Sequence, residues 1–179
     1  MRIAIDIQGL QNRGNSLRGI GRYIESFITS LFRNCPDNEY ILVANSKLPD
    51  IQSKFIKFIN DNDYKIVYLR WYSPEFSEKN IDINSNEYMI LEELHTYAFS
   101  RLNSDLILCT SFFDGFNDDC IVTFSSGYNL PPLFTIFYDL IPLINPKEYL
   151  DCNLPFKEFY LNRIGRITDF NGFLSISNS

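Results

Sequence analysis

The first 44 residues, MRIAIDIQGLQNRGNSLRGIGRYIESFITSLFRNCPDNEYILVA, decide the fold. Ile3-Ala4-Ile5-Asp6-Ile7 is a short apolar run with a carboxylate near its end, which predicts a buried strand. A polar loop rich in Gly, Asn and Arg follows over residues 8–18. Ile20, Ile24, Phe27, Ile28 and Leu31 then recur at helical spacing, so residues 20–32 are expected to be a helix. Cys35-Pro36-Asp37-Asn38 ends it, and residues 40–44 form a second strand of buried type. Two apolar strands joined by a helix imply a right-handed crossover and parallel pairing.

The rest of the chain repeats that alternation. Ile51, Phe55, Phe58 and Ile59 predict an amphipathic helix, and residues 64–69 a third strand. Residues 71–85 contain Pro74 and little periodicity, which reads as an exposed loop. Residues 87–102 predict a long helix with Tyr88, Leu91, His95, Ala98 and Leu102 on one face. Further strands are expected at 105–109, 120–124, 134–138 and 173–176, with a helix at 156–170. The expected fold is one α/β domain, residues 1–179, Rossmann-like, with a mainly parallel sheet covered by helices on both faces. Such sheets bind ligands beyond the carboxyl ends of their strands, where the strand order reverses.

Composition narrows the function. Sixteen Lys and Arg against 22 Asp and Glu give a net charge of −6, which argues against nucleic acid as partner. No apolar run reaches the roughly 18 residues of a membrane span, because Asp139 and Pro142 break the greasiest stretch. Cys35, Cys109, Cys120 and Cys152 form no CxxC pair, so scattered buried thiols of a cytoplasmic protein are expected rather than a zinc site. The aromatic residues, 16% of the chain, read as core filling.

Three constellations could carry chemistry. Arg18-Gly19-Ile20-Gly21-Arg22-Tyr23 opens the first long helix, and no acid lies between Asp6 and Glu25. Glycines let a backbone approach a ligand, and a helix N-terminus favours anions, so the stretch suits a phosphate or diphosphate. It is equally a tight strand-to-helix turn with solvated arginines, since neither GxGxxG nor a Walker loop is complete. Tyr138-Asp139, followed by Pro142, ends a strand at the expected ligand edge. Asp139 could accept a substrate hydroxyl while Tyr138 donates or stacks, or Asp139 could simply cap the next turn. Ser111-Phe112-Phe113-Asp114-Gly115-Phe116 with Asp118-Asp119 follows another strand; it lacks the calcium-loop pattern, and no metal is expected. His95 reads as a packed or partly exposed helix residue rather than a base, and Arg163 and Arg166 as solvent-facing. There is no G-x-S-x-G elbow for a nucleophile.

In order along the chain, these segments resemble the N-terminal half of retaining family 4 glycosyltransferases, which have the GT-B architecture. The matching pieces are Met1 to Asp6, Arg18 to Tyr23, Ser111 to Phe116 with Asp118-Asp119, Tyr138 to Leu143 with Tyr149-Leu150, and Leu174 to Ser177 with Ser179. Within the family the likeness is to enzymes that build bacterial surface polysaccharides, mannosyl- and rhamnosyl-like transferases among them. The resemblance implies an acceptor-binding N-terminal lobe facing a C-terminal lobe that binds the nucleotide-sugar donor. It places Arg18, Gly19, Gly21 and Arg22 near the donor diphosphate, Tyr138 and Asp139 at the cleft wall as catalytic-side residues, and Ser111 and Asp114 in an acceptor-side loop. Many relatives carry His-Asp where this chain has Tyr138-Asp139. The family's E-x7-E motif lies in the C-terminal lobe, which this chain lacks, so the expectation is a truncated, split or degenerate protein. It would fold alone without transferring sugar.

The resemblance implies no cofactor beyond the nucleotide-sugar of the full-length enzyme. The implied partners are that donor, a glycan or lipid-linked acceptor and the chain's own C-terminal domain. The implied location is the cytoplasm, at the inner membrane face where the acceptor is lipid-linked. The competing expectation is a non-catalytic α/β module that binds a glycan or a protein. A nucleotide-binding oxidoreductase is disfavoured, because no complete GxGxxG follows the first strand and no acid ends the second at Ala44-Asn45-Ser46.

Overall fold

A computed structural model describes residues 1–12, 14, 19–75, 83 and 85–176. Six strands form one sheet: β1 (Arg2–Asp6), β2 (Glu39–Asn45), β3 (Lys65–Trp71), β4 (Leu106–Cys109), β5 (Leu133–Phe137) and β6 (Gly172–Ser175). Their order is β3-β2-β1-β4-β5-β6, and every neighbouring pair is parallel. The chain steps outward from β1 to β3, then returns to β4 on the other side of β1. The order therefore reverses between β1 and β4, and loops diverge there to leave a crevice at the carboxyl edge.

The predicted α/β class is the observed one. Side chains alternate across the strands with a period of two. Ile3, Ile5, Tyr40, Leu42 and Ala44 join one core, packed under Ile24, Ile28 and Phe32 of helix α2 (Gly19–Asn34). Ala4, Ile41, Val43, Ile107 and Cys109 join the other, under Tyr88, Leu91 and Phe99 of helix α4 (Asn86–Ser100). Ser85 caps α4 by accepting the Tyr88 N–H, the usual role of serine there. Aromatic rings fill both cores, as expected: Phe32 meets Tyr40 at 4.8 Å, and Phe99 meets Phe124 at 5.4 Å.

Several expectations need correction. Residues 120–124 are buried and were expected as a strand, but they are not in the sheet. Their backbone is satisfied by side chains instead. Gln8 pairs with both the N–H and the carbonyl of Ile121, His95 meets the Thr123 carbonyl, and Arg166 donates to the Phe124 carbonyl. The expected helix over 51–59 is a 3-10 turn, Gln52–Lys54, followed by one helical turn, α3 (Ile56–Ile59). The polar loop after β1 begins with a buried turn, α1 (Gln8–Gln11). Two short helices, α5 (Ile141–Ile144) and α6 (Pro146–Tyr149), follow β5. The last helix, α7 (Leu154–Gly165), stops at Gly165 and gives way to a 3-10 turn rather than reaching residue 170. Glycine is a poor helix residue, and the next side chain, Arg166, turns aside to Phe124, Glu92 and Asp169.

Arg163 is not solvent-facing. It is 1% exposed, lies over the Phe159 and Tyr88 rings at 5.0 and 5.6 Å, and donates to the Asp114 carbonyl. Arg166 is half-buried between α4 and the 3-10 turn. Cys109 and Cys120 are buried, and burial pushes both thiols up, but Cys35 and Cys152 are exposed.

Candidate functional site

The carboxyl end of β1 is built on a buried polar network. Asp6 accepts the Gln8 backbone N–H and the Gln8 side-chain amide, both at 3.0 Å. Its Oδ2 also lies 3.1 Å from His95 Nε2, and both side chains are sealed from solvent, at 1% and 0% exposure. His95 Nδ1 lies 3.0 Å from the Thr123 carbonyl, which can only accept, so that nitrogen carries a hydrogen. The other ring nitrogen, Nε2, faces both Asp6 Oδ2 and, at 3.5 Å, the Gln8 side-chain amide. The expectation that His95 is packed in the helix face holds, with an ionisable partner the sequence did not reveal.

From Gln8 the network crosses to β2. Asn45 Nδ2 donates to Gln8 Oε1 and to the Asp119 carbonyl, each at 3.0 Å. The Asn45 backbone N–H donates to Gln11 Oε1 at 2.7 Å, and Gln11 Nε2 donates to the Asn45 and Pro49 carbonyls. Gln8, Gln11 and Asn45 are buried, and each polar bond they make removes a desolvation cost of about 1–3 kcal/mol. These amides hold the loops after β1, β2 and β4 at fixed separations. Gly9 tightens the join: a Cβ there would sit 2.7 Å from the Ser111 Cβ and 2.9 Å from Ile24 Cδ1.

Above this floor lies an open cleft at the reversal of strand order. It encloses about 1800 Å³, open solvent included, and is lined by Asn12, Lys47, Asp114, Phe116, Asp119 and Phe156 among others. The cavity volume within it, about 1020 Å³, stands at the upper end of the roughly 300–1,000 Å³ of small-molecule clefts. Asp118 is engaged by Asn12 Nδ2, the Gly115 N–H and the Cys120 N–H, so it shapes the turn. Gly115 has φ +105°, and a Cβ would lie 2.6 Å from the Cys120 carbonyl oxygen.

The residues singled out in the sequence separate into groups. Asp114 lines the cleft, while Ser111 is buried against Gly9. Tyr138 directly follows β5 and donates to the Thr110 carbonyl at 3.0 Å, and the Tyr23 ring of α2 meets it edge-on at 6.0 Å. Burial, with Asp114 and Tyr23 adding to it, pushes the Tyr138 phenol far up, so it stays a donor. Asp139 is exposed, and its Oδ1 accepts the Ile141 N–H at 3.1 Å, the turn-capping arrangement. Gly21 is buried and Arg22 exposed at the start of α2; at Gly19 a Cβ would meet nothing within 4 Å. Arg18, and with it Arg13, lies outside the described residues.

Sequence reasoning missed Gln8, Gln11, Asn45 and Lys47, each of which has partners 34 to 113 positions away. It also missed Tyr160, stacked 4.7 Å from Phe113, whose buried hydroxyl has no hydrogen-bond partner among the described residues. Burial, with Asp139 adding to it, pushes that phenol up to about 12. Among the described residues no three His, Cys, Asp or Glu side chains gather as a metal site, and no helix is long and apolar enough to cross a membrane. No known protein family, curated protein or solved structure matches the chain.

Proposed function

We propose that this chain is the acceptor-side domain of a sugar-nucleotide-dependent, retaining glycosyltransferase of the GT-B kind, working in surface-polysaccharide or glycoconjugate synthesis. The observation that supports this reading best is the cleft at the reversal of strand order. Its floor is fixed by amides and a carboxylate, and the aromatic rings of Phe116 and Phe156 line it. Polar pairs beside aromatic rings suit a hydroxyl-rich ligand. The order of the sequence motifs supplies the rest of the reading.

In that reaction the donor bond breaks toward an oxocarbenium-like sugar while charge builds on the leaving diphosphate. Cationic groups and helix N–H groups stabilise that charge. Here Arg18, Arg22 and the Gly19 to Gly21 backbone would supply part of it, and a donor-binding lobe the larger part. The acceptor hydroxyl must be held close and aligned. In this reading Asp139, whose Oδ1 caps the next turn, would take that task with its other oxygen.

The isolated 179 residues are expected to fold and to transfer no sugar from a nucleotide donor. Robust transfer by this chain alone would sink the assignment. In a protein that also carries a donor-binding lobe, Gly21→Val is expected to abolish transfer. Unchanged turnover there would remove the phosphate-loop role. The competing reading is a non-catalytic glycan-binding module. The turn-capping use of Asp139 favours it, and it predicts saccharide binding with no dependence on any sugar nucleotide.

A further inference from the structure

We propose that Lys47 and Asp119, together with Phe116 and Phe156, form a subsite for a neutral pyranose with a vicinal diol; this deepens the acceptor reading and rests on it. Lys47 follows β2 and Asp119 lies in the loop after β4, yet Lys47 Nζ donates to Asp119 Oδ1 at 2.8 Å. Their side chains are 17% and 39% exposed, so the pair is half-sunk rather than waving in solvent. Its base is rigid. Asn45 holds the Asp119 carbonyl, and Gln11 holds the Pro49 carbonyl two residues beyond Lys47.

The donor and acceptor inventory points to the ligand. An ammonium has three donors and a carboxylate about four acceptor positions. Among the described residues the two groups bond only each other through these side-chain atoms, so each keeps capacity facing the cleft. A donor and an acceptor 2.8 Å apart match two adjacent hydroxyls, one accepting from Nζ and one donating to the carboxylate. Asp118 is less suited to that part, because three donors already take up most of its acceptor positions. Phe116 and Phe156 line the same cleft as half-buried rings 5.1 Å apart, and they offer apolar surface to the C–H face of a sugar.

Charge selects within the class. Among the described residues, one lysine and three aspartates line the cleft, a net charge of −2 for those groups when ionised. A phosphate or uronate would meet that net negative field, whereas a neutral hexose would not. A purely apolar ligand would desolvate the ion pair without replacing its water.

The test is saturation-transfer NMR and calorimetry on the full chain with methyl glucoside, mannoside and galactoside. The matching methyl uronides and 2-deoxy or 3-deoxy hexosides serve as counterparts. At least one neutral hexoside is expected to bind. Its uronide and the deoxy analogue that interrupts the diol are expected to bind at least tenfold more weakly. Lys47→Gln and Asp119→Asn should each weaken the hexoside at least tenfold at an unchanged thermal midpoint, and Phe116→Leu should weaken it less. Equal affinity for hexoside and uronide, or binding unchanged in both polar variants, would overturn the subsite. A hexoside that binds but ignores these variants removes the subsite and leaves a saccharide reading of the domain intact. If no saccharide binds at all, the subsite falls, and the transferase reading is then decided separately by the transfer assay with Gly21→Val.

Discussion

The two halves of the carboxyl edge are built differently. Around β1, β2 and β4 the polar side chains are buried and paired, from His95 and Asp6 through Gln8 to Asn45 and Gln11. Beyond β5 the surface is open and apolar: Ile144 is 73% exposed, Leu154 65%, and Phe173 and Leu174 of the edge strand β6 stand partly in solvent. The first region ties its loops together through buried side-chain hydrogen bonds. The second leaves Asp139 exposed at the cap of α5. A binding floor needs preorganised neighbours, because ordering them at the moment of binding lowers affinity. In the proposed reading, the acceptor's ring is therefore recognised on the β1–β2–β4 side.

The comparison can be broken by substitution. The largest effect is expected from Asp6→Ala, which leaves His95 and two Gln8 donors buried without their acceptor. Breaking a buried pair costs about 3–5 kcal/mol, read as a fall in the urea midpoint. A loss below about 1 kcal/mol would show that the network is dispensable. Next comes the close join at Gly9, where Gly9→Val forces side chains against Ser111 and Ile24 and should cost about 1–3 kcal/mol. Gly115→Ala belongs to the same range, since its φ of +105° and its 2.6 Å clash with a backbone oxygen both oppose a side chain. On the open flank, Leu174→Ser is expected to change stability by no more than about 0.5 kcal/mol. A large loss there would mean that β6 carries part of the core.

The smallest effect is a pH dependence beside the sealed half. The Gln52 N–H and the Tyr68 hydroxyl hold the Asp50 carboxyl below its usual range. A depressed carboxyl stabilises the fold above its unfolded value, near 3.9, and loses that contribution as pH falls through the lower folded value. The urea midpoint of Asp50→Asn should therefore trail the parent slightly at pH 7 and meet it in strong acid. A gap that widens on acidification would contradict the assignment.

What could be read from the sequence follows from the range of the interactions. Strands and long helices were legible because Ile3-Ala4-Ile5 and the Ile20-to-Leu31 spacing are local patterns. Tyr138 and Asp139 were placed at the ligand edge because a strand end is local too. Residues 120–124 misled because an apolar run records burial and says nothing of which partner satisfies the backbone. Here Gln8, 113 residues from Ile121, supplies it. Arg163 reads as a surface residue in the sequence because its ring partner Tyr88 and its acceptor Asp114 lie on other elements. Lys47 carries no local motif; its meaning appears only when the β2 and β4 loops meet.

The most direct test of the central claim is an amide-resolved NMR titration of the chain with the neutral methyl hexosides. The account predicts shifts gathered at Asn12, Lys47, Phe116 and Asp119, with Phe173 and Leu174 still. Shifts confined to the β5–β6 flank, or none at all, would contradict it.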